Sequence, residues 1–522
     1  MSGCWGPGGA KEDRLSEDER EETPPPVTAE EVQEQLKKMA KKKAADAAGI
    51  VVEMLQCGGQ ALAELLAEVF SAILQAKARP PEYWKMAMVK VLYKAGDAKD
   101  PANYRPICLL PILYKVFTKI LCKRIGVFLD AEQPVDQAGF RATFSCEDHL
   151  LTVVQLAEKA EEFQLPLWMA AIDFKKAFDC VDHGSLWEAL REQGVPKGYV
   201  RVCRDLYTGQ KGMVNAGALS RTFDIVRGTK QGDPTSPKLF NAVLQKAMKP
   251  LVQKWLEEGH GYKIAGESRL TNLRFADDVI LAASSAASLE SMLADLAEAA
   301  GKVGLQLHYG KTKVLCNRVA RESDGRQHLK VQGQSVPVLL EGQTTKYLGR
   351  ELRLDAHDDA EIDNRINGAW RRFMSLRKEL CNQHFPLMQR MRLFGATVSA
   401  TLLYGAGTWT INEDRASKLR GAQRRMLRLM LQRKRARKAK TAAERWREES
   451  EEERTEEEAE EEEVETDSEG ESDTAVPNQE DEDEKDGEEI EPWHEWVQRV
   501  THLALKEMKR AQVEDWVDAA RD

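Results

Sequence analysis

Three aspartates are the residues best able to do chemistry. Asp173 lies near the end of a short apolar run, Leu167–Phe174, and the pair Asp277–Asp278 interrupts the apolar stretch Leu273–Ala282 directly after Phe275–Ala276. An isolated Asp-Asp is usually a solvated turn. Here the flanks Leu273, Phe275, Val279, Ile280 and Leu281 are apolar, and acids presented by a buried strand pair are expensive unless something positive meets them. Carboxylates aimed at one point from rigid elements suit divalent cations, Mg2+ above all, together with phosphate oxygens. Two such ions about 3.5–4 Å apart clamp the attacking and leaving oxygens of a phosphoryl displacement.

The elements that must carry these acids are legible in part. Leu167–Phe174 reads as a buried strand, and Leu273–Ala282 reads as two short strands meeting at the acidic turn. Residues 86–93 (MAMVKVLY) alternate like a strand. Helical periodicity begins at Ala29, with Val32, Leu36 and Met39 on one face, and recurs in Ala61–Gln75, Leu109–Leu129 and Ala287–Val303. Pro80 and Pro81 are expected to end the second of these. Beyond Ala360, Ile362, Ile366, Trp370 and Phe373 line one helical face, with Arg371, Arg372, Arg377 and Lys378 away from it. Strands and helices mix without strict alternation, so the expected class is α+β.

Charge is unevenly distributed. The formal net charge is −10, but Glu448–Glu491 holds 26 Asp+Glu against Arg454 and Lys485, a local net of −24. The remainder of the chain therefore carries +14, the sign a phosphate-binding body needs. The acidic run is too polar to fold alone and is expected to be disordered. Arg424, Arg425, Arg428, Arg433, Lys434, Arg435, Arg437 and Lys438 form a basic stripe just before it, and the acidic run is a candidate competitor with nucleic acid for that stripe. Nine cysteines, from Cys4 to Cys381, form no C-x-x-C pair, so no zinc site is expected and reduced thiols are. No apolar h-region or membrane-length run is present. The expected setting is intracellular, in nucleus and cytoplasm, with Arg433–Lys440 similar to a nuclear import signal.

Several motifs then fall in a recognisable order. Asn103-Tyr104-Arg105-Pro106-Ile107 and Gln137-Ala138-Gly139-Phe140-Arg141 are followed by Asp173-Phe174-Lys175-Lys176-Ala177-Phe178-Asp179. After these come Gly228-Thr229-Lys230-Gln231-Gly232-Asp233-Pro234 with Ser236-Pro237, then Phe275-Ala276-Asp277-Asp278, Gly304-Leu305 with Lys311-Thr312, and Tyr347-Leu348-Gly349. Singly each is weak. In this order, from about Val32 to about Leu431, the chain resembles the reverse transcriptases of non-LTR (LINE-type) retrotransposons.

That resemblance implies a right-hand polymerase with fingers, a palm of antiparallel sheet plus helices, and a helical thumb. Residues 1–28 would be a disordered leader, 29–165 an N-terminal extension and fingers, and 166–355 the palm. Residues 356–440 would be the thumb with its basic run, 441–491 the acidic disordered segment, and 492–522 a C-terminal helical segment. It implies RNA-directed DNA synthesis on an RNA template from a DNA primer and dNTPs. Two Mg2+, with Mn2+ as a substitute, would be held by Asp173, Asp277 and Asp278. Phe178 would be the steric gate under the sugar, Gln231 and Gly232 would position template and incoming base, Lys311 would meet the pyrophosphate, and Arg105 and Arg141 would face triphosphate or template.

Taken alone, Phe178 reads as a core aromatic, Lys311 as a surface lysine, Arg105 as a loop cation and Gln231-Gly232 as a plain turn. The chain departs from the family pattern at Ala44–Gly49, at Ala142–Cys146 and at His308. Only about thirty residues precede the similarity and no cysteine follows Cys381, so neither an endonuclease nor a zinc knuckle is expected. A catalytically inactive, nucleic-acid-binding descendant and an RNA-directed RNA polymerase are the alternatives.

Overall fold

Asp173 and the Asp277–Asp278 pair are carried by one four-stranded sheet. The computed structural model describes residues 23–94, 96–215, 219–354, 357–431 and 493–521. It separates into two compact units, one ending at His357 and one beginning at Asp358. The acidic segment and Arg433–Lys440 lie outside the described residues.

In the first unit the strands are β1 (Met86–Tyr93), β2 (Tyr104–Leu109), β3 (Trp168–Ile172), β4 (Lys211–Asn215), β5 (Phe223–Asp224), β6 (Tyr262–Ala265), β7 (Ser268–Leu270), β8 (Asn272–Phe275), β9 (Asp278–Ala283), β10 (Lys313–Cys316), β11 (His328–Val331), β12 (Gln334–Pro337), β13 (Thr345–Tyr347) and β14 (Arg350–Leu352). One sheet runs β2-β1-β4-β5; β1 is antiparallel to β2 and parallel to β4. A second four-stranded sheet runs β10-β3-β9-β8 and is antiparallel throughout, and β6-β7, β11-β12 and β13-β14 are separate two-stranded antiparallel pairs.

All five residues of β3 are buried, because both faces of its sheet are covered. Trp168, Ala170 and Ile172 face a core that includes Leu239 and Leu289, on the helices Ser236–Glu257 and Ala286–Lys302. Met169 and Ala171 face a second core with Leu150 and Val153 of the helix Cys146–Glu162. This double burial explains an unbroken apolar run where a one-sided strand would alternate.

The N-terminal helices brace the other sheet. Phe70, Trp84 and Phe117 form an aromatic cluster, with Phe70–Phe117 at 5.3 Å and Trp84–Phe117 at 5.5 Å between centroids. The helix expected from Ala61 opens slightly earlier, on a glycine, as Gly59–Leu74. Ala76 turns left-handed (φ +58°) just past its end, so the chain has left the helix before Pro80 and the prolines are not what stops it. The helix expected from Leu109 starts at Ile112: β2 claims Leu109, and Pro111 stands at the helix's N-terminal boundary, where its missing N–H is no loss.

The expected disordered leader, 1–28, is corrected at its end; residues 1–22 lie outside the described residues. Residues 23–28 are described and tied down: Val27 is buried and its N–H donates to Ser71 Oγ (2.8 Å), while Arg124 donates to the carbonyls of Pro25 and Pro26. Thr28 caps the helix Ala29–Lys37 in a capping box with Glu31. The polar composition there hides one buried valine and a set of backbone acceptors.

The second unit is helical. Ile362 and Phe373 of the helix His357–Ser375 are buried, whereas Arg371, Arg372, Arg377 and Lys378 lie away from the core. Phe394 stacks on Trp516 at 5.9 Å, and Trp516 Nε1 donates to Ser399 Oγ (2.9 Å). The helix Glu413–Leu431 packs against Trp493–Arg510. The basic stripe is consequently not all free: Arg428 donates to Thr501 Oγ1 (3.0 Å), and burial followed by the charges of Arg424 and Arg425 lowers its pKa. No helix among the described residues is long and apolar enough to cross a membrane.

Candidate functional site

The β8–β9 hairpin carries the acidic pair. Phe275 pairs with Asp278, which leaves Ala276 and Asp277 as a two-residue turn with Ala276 in the left-handed region (φ +57°). Tight hairpin turns demand positive φ, normally from glycine, asparagine or aspartate. β3 pairs with β9 up to Ile172↔Val279, so continuing the register by one residue sets Asp173 across from Asp278.

The chain after Asp173 is held by the segment 306–312. His308 N–H donates to the Asp173 carbonyl (2.7 Å), Asp173 N–H donates to Thr312 Oγ1 (3.3 Å), and Lys175 N–H donates to the Gln306 carbonyl (2.8 Å). This pairing brings Lys311, which is exposed, to the edge of an open cleft of about 900 Å3. The cleft is also lined by Lys94, Arg105, Asp173, Phe178, Asp179, Gln231, Gly232 and Asp277.

The electrostatics are those of acids short of positive charge. Burial raises the Asp277 pKa, and the Asp173 charge adds to it, against the lowering effects of its own backbone N–H, Arg105 and Lys94. Asp278 keeps an exposed surface, yet loss of hydration and then the charges of Asp277 and Asp173 push it up to about 6. The charge of Asp173 thus reaches both acids of the turn. Even so, among the described residues no group of three His, Cys, Asp or Glu is close enough to hold a metal ion. A preformed three-carboxylate cage is thus not what the structure presents. Mg2+ ordinarily draws several of its ligands from water and phosphate, so it does not require such a cage. The hard oxygen donors and their mutual repulsion still fit a divalent cation.

A pH dependence follows. A carboxyl whose folded pKa is raised keeps its proton in the fold between about 4 and about 6, where the unfolded chain has already released it. Stability from this group falls as pH rises through that window. Metal-free Asp278→Asn protein is expected to melt higher than the parent at pH 8, by no more than about 1 kcal/mol given solvent screening, with the difference gone near pH 4. Thermal unfolding in EDTA at both pH values measures it.

The remaining expected residues divide. Phe178 is half-buried, stacked on Phe240 at 4.5 Å and edge-on to Phe140 at 6.3 Å. Gln231 Nε2 donates to Asp179 Oδ1 (2.9 Å), and the Gln231 carbonyl accepts from Cys108 N–H of β2 (2.9 Å). Gly232 has φ +113°, and a Cβ there would sit 2.8 Å from the Cys108 carbonyl oxygen, so only glycine fits. Arg105 is exposed in the cleft. Arg141 differs from expectation: its guanidinium donates to the carbonyls of Pro134 (2.6 Å) and Gln137 (2.8 Å) and lies 4.4 Å from the Phe144 ring. Backbone carbonyls of its own loop claim it, and it does not line the cleft.

Sequence reasoning passed over Lys94 and Asp179 as cleft residues, although Asp179 lies within the quoted motif. It also missed a buried polar chain beneath Gln231–Gly232. Lys230 Nζ is 3.2 Å from Tyr114 Oη, which donates to Asp233 Oδ2 (2.5 Å), and Lys230 also lies 4.5 Å from the Tyr114 ring. Lys230 and Asp233 are both buried. With these two side chains drawn inward, the Gln231–Gly232 backbone between them faces the cleft.

Residues 94–352 match the family model for reverse transcriptase (RNA-dependent DNA polymerase), the same stretch that builds this sheet and cleft. The chain carries a reverse transcriptase domain. The Pol polyprotein of the type-2 retrotransposable element R2DM of Drosophila melanogaster is 30% identical over 278 residues, 52% of this chain and 25% of that one. The R2 element polyprotein of Popillia japonica is 28% identical over 332 residues, 62% and 44% of the two. The probable RNA-directed DNA polymerase of the Drosophila melanogaster X-element is 25% identical over 382 residues, 69% and 39%. The domain belongs with those of non-LTR, LINE-type retrotransposons. This chain spans 25% to 44% of the length of these three relatives. Among solved structures, telomerase from Candida tropicalis with a fragment of telomeric RNA is a remote likeness, at 14% identity, TM-score 0.40, and 70% and 60% coverage.

Proposed function

We propose that the chain is an RNA-directed DNA polymerase that joins dNTPs to a primer 3′-hydroxyl on an RNA template. The observation that carries this reading is the strand register that sets Asp173 across from the Asp277–Asp278 turn, with Asp173 and Asp277 lining a cleft that Phe178, Gln231, Gly232, Lys311 and Arg105 also line. Asp173, Asp277 and Asp278 would hold two Mg2+, with Mn2+ as substitute, which supply Lewis-acid stabilisation of the attacking and leaving oxygens. Lys311 meets the charge of the departing pyrophosphate. Arg105, with Lys94 beside it, faces the triphosphate. Gln231 and Gly232 offer a close, backbone-lined seat for the nascent base pair. The second unit serves as the thumb, and the setting is the nucleus and cytoplasm.

Primer extension on a defined RNA template with Mg2+ and dNTPs tests the reading. Extension by the purified chain is the expected result; a folded chain that binds RNA without extending a primer would move the reading to a non-catalytic binding protein.

The gate assignment has its own test. Phe178 is wedged between Phe140 and Phe240, so it has little room to retreat from a 2′-hydroxyl. Phe178→Val is expected to raise ribonucleotide use relative to deoxynucleotide use roughly 10–100-fold, the range that a few missing carbons in a pocket produce. Competing single-nucleotide incorporations measure the ratio. An unchanged ratio returns Phe178 to a packing role.

A further inference from the structure

The turn that bears Asp277 is built on an unfavourable conformation, and one side chain holds it. Ala276 has φ +57°, a region that a residue with a Cβ enters only when its surroundings compel it. Ala276 N–H donates to Gln137 Oε1 (3.0 Å), and the same oxygen accepts the Gly139 N–H (2.9 Å). Gln137 is fully buried.

Around it, segment 136–139 is laced to β8. Arg274 N–H donates to the Asp136 carbonyl (2.7 Å), Ala138 N–H donates to the Arg274 carbonyl (2.9 Å), and Asn241 Nδ2 donates to the Gly139 carbonyl (2.7 Å). Arg274, itself buried, is fixed by Gln245 Oε1 (2.9 Å). Gln137 therefore cannot drift from the hairpin without breaking a strand-like pairing. Two buried N–H groups rely on its one oxygen, which also fixes which way its amide points.

We propose that Gln137 is the positioning residue of the acidic hairpin: by holding Ala276 in its left-handed conformation, it sets where Asp277 and Asp278 stand and hence how tightly the site takes a divalent cation. It touches neither cation nor substrate. The inference rests on the polymerase reading of the three aspartates. Partners that orient metal ligands from behind typically alter metal affinity roughly 10–100-fold when removed.

The test uses the full chain and Mn2+ as the probe, followed by electron paramagnetic resonance. Gln137→Met keeps length and apolar bulk while removing the acceptor. It is expected to weaken Mn2+ binding at least roughly tenfold, to speed amide exchange in the peptide spanning 272–283, and to raise the Mg2+ concentration needed for half-maximal extension, with RNA affinity unchanged. Ala276→Gly removes the need for the hold, so adding it to Gln137→Met should restore much of the Mn2+ affinity.

A parent that binds Mn2+, with Gln137→Met matching it in binding and exchange, overturns the inference alone. A parent that binds no Mn2+ overturns both the inference and the polymerase reading. If Gln137→Met does not fold, the double variant decides: recovered fold and Mn2+ binding support the hold, and equal damage refutes it.

Discussion

Replacing Asp277 and Asp278 together by alanine is expected to lower primer extension by roughly three to four orders of magnitude, about 4 to 5 kcal/mol of barrier. The two acids stand at the end of the hairpin opposite Asp173, and burial first, then neighbouring carboxylate charge, raises the pKa of each. What is lost is the charge that holds cations at the reacting oxygens, not the surface that binds nucleic acid. RNA affinity should thus stay within a few-fold, or tighten slightly, because two negative charges leave a body that is net positive outside the acidic run. Extension assays beside RNA titrations at fixed salt separate the two. Equal losses in both would point to a collapsed hairpin, and undiminished extension would remove the aspartates from the chemistry.

Gly139→Ala should also be damaging, though it adds only one methyl group. A Cβ on Gly139 would lie 2.4 Å from Ala276 N and 2.8 Å from the Phe275 carbonyl carbon. Both are backbone atoms of the hairpin, so no flexible side chain can yield. Either segment 137–140 lifts away, breaking the Gln137 and Asn241 bonds, or the turn shifts and takes Asp277 with it. Loss of extension by roughly 100-fold or more is expected, because sub-ångström placement of catalytic groups is what such a shift destroys. A fall in thermal stability of about 1–3 kcal/mol should accompany it, the usual scale for forcing atoms into a packed interior. A variant with parental activity would show that the approach between these segments is looser than 2.4 Å implies.

The sequence disclosed this site unevenly, for physical reasons. Asp173 and Asp277–Asp278 stood out because acids amid apolar runs contradict their surroundings, and the strands that carry them lie within a residue or two of where periodicity places them. β1 was recovered to the residue. The partner relations were not visible. The parallel pairing of β1 with β4 depends on tertiary packing across a long separation, and β4, reading KGMVN, has little strand character of its own. Arg141 illustrates the opposite failure: a cation in a matching motif suggests a ligand contact, while backbone carbonyls that no sequence pattern records capture it instead. Lys230 and Asp233 look like ordinary surface charges until Tyr114, from a helix more than a hundred positions earlier, is seen between them.

The two four-stranded sheets of the first unit are interleaved along the chain, and this bears on how the protein is made. β3 is synthesised after β1 and before β4, while its own neighbours β9 and β10 come later still. As the chain emerges from the ribosome, Trp168–Ile172, buried on both faces in the end, must wait without its full set of partners until Cys316 has been added. Long waits of this kind slow folding and expose sticky surface. A chain cut between β3 and β4 would therefore strand unpaired edges of both sheets in each half, and expression of such halves should yield aggregate unless the missing half is supplied during synthesis.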